Sequence, residues 1–420
     1  MQEGGVKRVR VLFLAWGYSI HGKRRIQIFV DDPRFDVMVV STYDYRVENA
    51  TNVLLRSAEG ERGIRRGGGP AGQRCDARPL PSFLKKVRSG LVRMTEKGRT
   101  FCLMIQDLGQ LRSTVREFRP DFVFLQTLLY PAYLSYFLSP SIPILITFWN
   151  GDLLWWAQWN GIEKLLKRQI VAYGVKRASL ITVNSQKAFD TCLEYGARRE
   201  KVEIIRYPGV DLSRFKPAAR DVARERLGIR HPKVVFCPRG IGGFLNSETI
   251  VEAAPAVVES YPRTLFIFAG VMVEKELLAH QRRVRELGME DHFLWKPGIR
   301  WEEMPLYYSC SDVMVSVSSN DSLPNCMLEA MACQIPVLMG DIPQIREWIP
   351  EEFNRFLVPP GDPVVLSERI LWVFCDSDTR IEQFVQRNRN LVEREVDSHK
   401  NSEIIKNLVL RLAETREARA

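Results

Sequence analysis

The chain has 420 residues, of which 45% are apolar and 26% are charged, and its formal net charge is +10. This composition is typical of a soluble globular protein, and the length favours two domains. A membrane-spanning chain is not expected, because the longest apolar stretch, "LYPAYLSYFLSPSIPILITFW", is interrupted by Pro140 and Pro143.

The positive charge predicts an attraction to anions, and it is concentrated between Arg56 and Arg99. No aromatic-rich RNA motif or DNA-recognition helix accompanies it, so nucleic acid is not the expected partner. The eight cysteines form no C-x-x-C pair and lie near no histidine at metal-ligand spacing. We therefore expect reduced thiols, a cytoplasmic location and no metal.

Apolar runs with helical segments between them follow one another in both halves of the chain. Such runs predict parallel strands that are covered on both faces. The N-terminal runs are "VRVLFLAW", "FDVMVVST", "DFVFLQT", "IPILITFW", "ASLITVNS" and "VEIIRYP", and the C-terminal runs are "KVVFCPRG", "RTLFIFAG", "HFLWKPG", "DVMVSVSS", "IPVLMGD" and "RFLVPPGD". The predicted fold is α/β, with two doubly wound Rossmann-like domains that face each other across a cleft.

The predicted domains are residues 1–207 and 208–380, followed by C-terminal helices over 381–420. Residues 57–82 are rich in Gly and Arg and predict a mobile loop in the first domain. Residues 83–99 then have the spacing of a basic amphipathic helix. That helix could pack on the N-terminal sheet or lie on an anionic membrane surface, and both interpretations stay open.

The segment "DVMVSVSSNDSLPNCMLEAMACQ" predicts a strand, a loop and a helix that starts around Leu323 to Asn325, with Pro324 in its first turn. A helix that begins at the end of a strand directs unbonded N–H groups at an anion such as a phosphate. Asp321 and Glu329 would flank that anion, and carboxylates accept hydrogen bonds from hydroxyl groups. This combination points to a nucleotide sugar, with Asp321 on the sugar and Glu329 on the ribose.

The same segment resembles the signature of the group-one family of retaining, nucleotide-sugar-dependent glycosyltransferases, which have the B-type glycosyltransferase fold. That family has Glu, seven residues and Glu, then Ala-Met-Ala and a Pro-Val-Val strand. Here Asp321 and Glu329 take the acidic positions, and Pro336 begins the strand. The segments "PGVDLSRFKP", "KPGIRWEEMPLYYSCSDVMVSVS", "ITFWNGDLLW" and "RFLVPPGDPVVLSERI" resemble further family motifs.

The resemblance implies a catalytic set and a set that binds substrate. The predicted catalytic residues are Arg239, Asp321 and Glu329. The predicted substrate-binding residues are Gly240, Ser322, Leu323, Pro324, Asn325, Cys326, Gly298, Ile299, Asp152, Gly17 and His21. For Asp152 a role in the turn is equally open, and His21 could be structural.

Two departures from the family pattern affect charge. Arg239 supplies one diphosphate-binding cation, but Phe244 stands where the family has a Lys, unless Lys296 or Arg300 compensates. Backbone N–H groups of the run Gly240 to Gly243 could approach the phosphates, or the run could be an ordinary strand-to-helix turn. The N-domain histidine of many members is also replaced, by Trp149.

The resemblance therefore predicts a retaining glycosyltransferase that moves a sugar from a nucleotide-diphosphate sugar to a hydroxyl of a glycan or lipid-linked glycan, without a cofactor. A sugar-nucleotide epimerase of the same fold and a catalytically decayed nucleotide-sugar-binding protein are the alternatives. Residues 83–99 would bring the enzyme to the inner face of the membrane.

Overall fold

The structure is a computed structural model in which the chain divides into two compact units. Unit 1 comprises Met1–Val183, Ala188–Glu203 and Lys406–Ala420, and unit 2 comprises Asn184–Lys187 and Ile204–Ile405. The structure describes residues 8–15, 20–42, 46–55, 102–149, 153, 161–206, 208–321, 323–375 and 378–417, with the backbone alone at 20, 21, 162, 163 and 415–417.

The sheet of unit 1 has seven strands. They are β1 (Val9–Ala15), β2 (Phe35–Ser41), β3 (Thr51–Leu54), β4 (Phe122–Leu125), β5 (Ile144–Thr147), β6 (Leu180–Val183) and β7 (Val202–Ile204), in the order β3-β2-β1-β4-β5-β6-β7. The pairings described between β3 and β6 are parallel. Strands β4, β5 and β6 are buried along their whole length because layers of helix cover both faces of the sheet.

Helices connect these strands, as parallel pairing requires. They are α1 (Ile20–Val30), α2 (102–118), α3 (Gly161–Arg177) and α4 (Gln186–Glu194), with 3₁₀ turns at Ala132–Phe137 and Arg199–Lys201. The Phe13 ring of β1 stacks on Phe124 of β4 at 5.0 Å, and Phe29 of α1 packs on Phe13 at 5.4 Å. This aromatic contact fixes α1 on the centre of the sheet.

The sheet of unit 2 has six parallel strands. They are β8 (Lys233–Cys237), β9 (Thr264–Gly270), β10 (Phe293–Pro297), β11 (Val313–Ser316), β12 (Val337–Gly340) and β13 (Leu357–Val358). Their order is β10-β9-β8-β11-β12-β13. The chain therefore proceeds outward from β8 in one direction and from β11 in the other. The carboxyl ends of β8 and β11 form the topological switch point, where ligands bind in open α/β sheets.

The helices of unit 2 cover both faces of that sheet. They are α5 (Arg220–Leu227), α6 (Ser247–Ser260), α7 (Glu274–Glu286), α8 (Met304–Ser309), α9 (Asn325–Ala332), α10 (Pro343–Arg346), α11 (Pro363–Cys375) and α12 (Thr379–Glu395), with 3₁₀ turns at Gly243–Leu245, Glu290–His292 and Glu351–Phe356. Helix α12 packs against α9. It therefore supports the helix that carries Glu329.

The last helix, α13 (Ser398–Glu417), contributes its residues from Lys406 onward to unit 1. There the Lys406 Nζ lies 3.1 Å from the Asp32 carboxylate, which also pairs with Arg34 at 2.6 Å. The hydrogen bonds from Arg34, with a smaller contribution from Lys406, hold the pKa of the buried Asp32 well below its ordinary value although burial opposes this.

The predicted pair of doubly wound parallel domains is confirmed. The domain boundaries at 207 and 380 stay a prediction, and the mobile loop 57–82 and the basic helix 83–99 lie outside the described residues. In the part of the chain that the structure describes, no helix combines the length and apolarity that crossing a bilayer requires. The seven described cysteines carry free thiols, and all of them except Cys102 and Cys375 are buried.

Candidate active site

Arg239 and Asp321 follow the two strands that meet at the switch point of unit 2. Arg239 comes two residues after β8, and Asp321 comes after β11. The Arg239 Nη2 lies 2.8 Å from the Asp321 Oδ2, so the two side chains form an ion pair. The sequence places both residues in the site, but it does not indicate that they bind each other.

The Arg239 side chain is 26% exposed, and its guanidinium lies beside several acidic or polar groups. Burial alone would lower the pKa of Arg239, but the Asp321 carboxylate and the Cys326 thiol raise it above its ordinary value. Its Nε is buried and has no hydrogen-bond acceptor within the described part of the chain. Buried Nε atoms of other arginines, among them Arg206 and Arg214, also lack an acceptor there, so the position of Arg239 at the switch point is what distinguishes it. An anionic ligand is one group that could satisfy its Nε.

Backbone packing fixes the loop that carries Arg239. Gly240 adopts a φ of +88°, and a Cβ at this position would collide with the Val271 carbonyl. The Ile241 N–H donates to the Val271 oxygen at 2.9 Å, and the Val273 N–H donates back to Ile241 at 3.1 Å. Because the loops after β8 and β9 touch backbone to backbone, only glycine fits at position 240.

The same loop is joined to the segment that leads to Asp321. The Ser319 N–H donates to the Phe244 carbonyl at 2.9 Å, and the Asn246 Nδ2 donates to the Val317 carbonyl at 3.0 Å. The Gly243 N–H donates to the Glu276 Oε2 at 3.1 Å. At Gly243, therefore, an acidic side chain of the protein accepts the hydrogen bond that a phosphate could otherwise receive.

Glu329 lies in the second turn of α9 and is 9% exposed. The Tyr308 hydroxyl donates to its Oε2 at 2.9 Å. Cys326, one turn earlier in α9, lies among Arg239, Asp321 and Glu329, and burial raises the pKa of its thiol to about 12. Helix α9 thus brings Cys326 and Glu329 to the Arg239–Asp321 pair.

Helix α9 starts at Asn325, within the predicted range, but the predicted place of Pro324 in the first turn is wrong. Pro324 precedes the helix in an extended conformation, with φ −69° and ψ 117°, and Asn325 is the first helical residue. Pro324 is therefore the N-cap residue and not part of the first turn. Its carbonyl accepts the Met327 N–H at 3.0 Å, whereas Leu323 packs partly buried against the core of unit 2.

Other predicted residues follow a different strand or lie outside the described residues. Gly298 and Ile299 follow β10, which β9 separates from β8 in the order of the sheet, and their part in the site stays a prediction. His21 lies in α1, and only the backbone of His21 is described. Gly17, Asp152 and Ser322 lie outside the described residues.

The cations that could replace a lysine at position 244 have different environments. Arg300 is an exposed residue that pairs with Glu303 at 2.7 Å, and Phe244 is 45% exposed. Lys296 is an exposed residue of β10. Among the described residues no group of three or more His, Cys, Asp or Glu side chains could hold a metal ion, and independence of metal stays a prediction.

Sequence reasoning did not identify Tyr308 or Glu276 as parts of the site. Tyr308 lies in the segment "EEMPLYYSC", which carries the resemblance, but it is an aromatic residue in a mostly apolar stretch that the sequence alone predicts to be part of the core. Glu276 lies in the first turn of α7, where an acidic residue is expected for helix stability alone. The contact of each with the site depends on how the connections fold back over the sheet.

Two family models match adjoining parts of the chain. Residues 224–391 match the model described as glycosyl transferases group 1, and residues 64–214 match glycosyltransferase family 4. The first match contains the whole cluster of Arg239, Asp321 and Glu329.

Curated relatives are similar over part of their length. The chain is 28% identical over 209 residues to a D-inositol 3-phosphate glycosyltransferase of Streptomyces avermitilis, covering 47% of this chain and 44% of that protein. It is 31% identical over 142 residues to a GDP-mannose-dependent alpha-(1-6)-phosphatidylinositol monomannoside mannosyltransferase of Mycolicibacterium smegmatis, covering 32% of this chain and 37% of the relative. The chain thus aligns with less than half the length of either relative.

Solved structures match nearly the whole chain. Anabaena Alr3699/HepE, solved in complex with UDP, superimposes with a TM-score of 0.70 at 17% identity, over 96% of this chain and 100% of that one. WaaG, a glycosyltransferase involved in lipopolysaccharide biosynthesis, gives a TM-score of 0.62 at 14% identity, over 94% and 99%. These neighbours show the B-type glycosyltransferase fold. The family matches place residues 224–391 in the group 1 glycosyltransferases and residues 64–214 in glycosyltransferase family 4.

Proposed function

We propose that this protein transfers a glycosyl group from a nucleotide-diphosphate sugar to a hydroxyl acceptor and retains the configuration at the anomeric carbon. The observation that carries the proposal is Arg239, a partly buried cation at the switch point whose buried Nε lacks an acceptor among the described residues. A diphosphate supplies the oxygens that such a donor can bind.

Each charged residue then has a separate role. Arg239 and the N-terminus of α9 hold the diphosphate, Asp321 orients the sugar, and Glu329 accepts hydrogen bonds from the ribose hydroxyls. When the bond between the anomeric carbon and the phosphate oxygen breaks, the leaving diphosphate takes the electron pair and gains negative charge. Arg239 stabilises that charge more strongly than the charge of the ground state, which accelerates the reaction.

The names of two similar proteins suggest which nucleotide sugars to test as donors. HepE was solved with UDP and with UDP-glucose, and the Mycolicibacterium relative is described as GDP-mannose-dependent. We therefore propose UDP- and GDP-sugars as the first donors to test. A glycan or lipid-linked glycan remains the proposed acceptor, and a cytoplasmic location with membrane binding through residues 83–99 remains a proposal to be tested with anionic vesicles.

The primary test is a calorimetric titration of the wild type, Arg239→Ala and Glu329→Ala. Each protein is titrated with UDP, GDP, ADP and CDP. We expect one nucleoside diphosphate to bind the wild type, and both variants to bind it at least tenfold more weakly because each loses a contact with a charged group. Unchanged affinity in both variants would contradict the proposed site.

A second experiment addresses the chemistry. Incubation with the preferred donor and a panel of hydroxyl acceptors should yield a product whose anomeric configuration, read by NMR, is that of the donor. Conversion of the donor in the absence of acceptor would favour an epimerase. Tight binding without any turnover would favour a binding protein. The missing cation at position 244 and the contact of Glu276 with Gly243 are the two observations that fit this alternative.

A further inference from the structure

Two segments that carry the family resemblance meet behind Glu329. One is "PGVDLSRFKP", which contains Phe215, and the other is "EEMPLYYSC", which contains Tyr308. Both side chains are fully buried in unit 2. The Tyr308 hydroxyl is the group that reaches Glu329, at 2.9 Å from Oε2.

Aromatic packing restricts the Tyr308 ring to one position. Its edge contacts Phe236 of β8, with ring centres 5.2 Å apart at 79°, and Phe215, 6.0 Å away at 65°. Edge-to-face contacts of this kind are favourable, and a fully buried ring has little freedom to move. The Tyr308 hydroxyl therefore meets the Glu329 carboxylate in a fixed geometry.

Arg389 of α12 connects the other elements of this arrangement. Its Nη1 donates to the Phe215 carbonyl at 3.3 Å and also to the carbonyl of Ala332, the last residue of α9. A cation at the C-terminus of a helix is stabilising. Here it also fixes the Phe215 segment relative to the helix that carries Glu329.

The chemistry of this contact sets the direction of the carboxylate. Burial, and to a lesser extent the nearby Glu329 carboxylate, raise the pKa of Tyr308 well above its ordinary value, so the phenol stays protonated and donates. A carboxylate has about four acceptor positions, so it can accept hydrogen bonds from ligand hydroxyls in addition to the one from the phenol.

We propose that Tyr308 is a positioning residue that aims the Glu329 carboxylate at the ribose hydroxyls of the donor, so that recognition of ribose depends on the Tyr308 hydroxyl. This inference rests on the proposed function, because it assumes that Glu329 binds the ribose. The inference adds Tyr308, a residue that does not contact the ligand. Loss of the Tyr308 hydroxyl is expected to change which nucleotides the protein prefers.

The test compares UDP and GDP with their 2′,3′-dideoxy forms by calorimetry. The wild type should bind the ribose form of the preferred nucleotide about tenfold or more tightly than the dideoxy form, since a carboxylate–hydroxyl hydrogen bond has about that effect. Tyr308→Phe should reduce this preference to about two- to threefold, and should do so by weakening the ribose form alone.

Tyr307→Phe is the matched control. Tyr307 is the neighbouring residue of α8, and its ring stacks on Phe236 at 5.9 Å. The substitution removes an equal hydroxyl without removing the donor to Glu329, so the preference for ribose should stay at the wild-type value. In the double variant Tyr308→Phe/Glu329→Ala the preference should equal that of Glu329→Ala alone, because Tyr308 acts through the carboxylate.

Three results would overturn the inference. A preference for ribose that is unchanged in Tyr308→Phe would show that the carboxylate is positioned without the phenol. Equal weakening of both nucleotide forms would show a role in stability alone, which thermal unfolding would also report. If the wild type binds no nucleoside diphosphate, the proposed function fails first. Should Tyr308→Phe not fold, Phe215→Leu tests the positioning of the hydroxyl instead: it loosens the packing around the Tyr308 ring, and an unchanged preference for ribose would contradict the inference.

Discussion

Strand β11 has an aspartate at each end, and the two aspartates have different surroundings. Asp312 precedes the strand and Asp321 follows it, and both side chains are mostly buried, with 7% and 11% of their surface exposed. The Asp312 carboxylate receives the Arg220 Nη1 at 2.9 Å, the Arg224 Nη2 at 2.7 Å and the Val234 N–H at 2.7 Å.

Asp321, in contrast, pairs with an arginine whose own donors are incompletely used. Arg239 has a buried Nε without an acceptor among the described residues, whereas the Arg224 Nε donates to the Cys310 carbonyl at 2.9 Å. The amino end of the sheet thus has a pair whose hydrogen bonds are complete. The carboxyl end has a pair that can still accept a ligand. We infer that the first pair serves stability and the second serves binding, as the position of ligand sites in such sheets suggests.

The largest effect is expected for Asp312→Ala. The substitution leaves Arg224 and the Val234 N–H buried without their acceptor, which costs about 3 kcal/mol or more of unfolding free energy. Denaturant unfolding would measure the loss, with Glu252→Ala, which removes an exposed partner of Arg283, as the control. A loss below 1 kcal/mol for Asp312→Ala would mean that the pair is not a stabilising one.

The second effect is that of Arg239→Met, which keeps an unbranched side chain but removes the charge and the hydrogen-bond donors. Affinity for the preferred nucleoside diphosphate should fall about 20-fold, or about 2 kcal/mol, because a charged hydrogen bond to phosphate is lost. The matched variant Arg224→Met should lower stability and leave affinity unchanged. If Arg239→Met lowered stability alone and Arg224→Met lowered affinity alone, the proposed roles of the two arginines would be reversed.

Asp321→Asn distinguishes the contribution of Asp321 to sugar binding from its effect on diphosphate binding. The variant removes the negative charge that pairs with Arg239, so the nucleoside diphosphate without sugar should bind as tightly as before or a few-fold more tightly. Transfer should slow about tenfold, because the amide is a weaker acceptor for the sugar hydroxyls. Titration and initial rates on the same preparation would show this split, and parallel losses in both would contradict it.

The smallest effect is expected for Phe244→Lys, which restores a cation at the position where the family has lysine. Phe244 is about half exposed, and its contact with Ser319 is made by its backbone, so the fold should tolerate the change. Affinity for the nucleoside diphosphate should rise about two- to fivefold, as expected for one added charge in a partly exposed site. No change would indicate that position 244 lies too far from the diphosphate to matter.

The sequence was sufficient for the strands and for the helix that carries Glu329. Buried parallel strands are nearly continuous apolar runs, and all twelve quoted runs contain an observed strand. Strand β3 was missed because Thr51–Leu54 is short, half exposed and lies at the edge of the sheet. Local pattern identifies an element well when burial determines its composition.

Contacts between distant elements could not be predicted in the same way. The Tyr308–Glu329 bond, the Arg239–Asp321 pair and the Gly243–Glu276 bond each join segments that lie 21 to 82 residues apart along the chain. Such contacts depend on the order of strands and on rotamers, which no local periodicity reports. The sequence therefore supplied candidate residues for the site, but not the contacts between them.

The ion pair between Lys406 and Asp32 has a consequence for biosynthesis. Unit 1 combines residues before Ile204 with residues from Lys406 onward, so a nascent polypeptide that has emerged only as far as residue 207 lacks one of the two cations that neutralise the buried Asp32. Folding of the first unit on the ribosome is therefore incomplete until the segment that carries Lys406 has emerged. A fragment of residues 1–207 would leave Asp32 without Lys406. A synthetic peptide of residues 398–417, added to that fragment, would be expected to restore the compactness of the fragment.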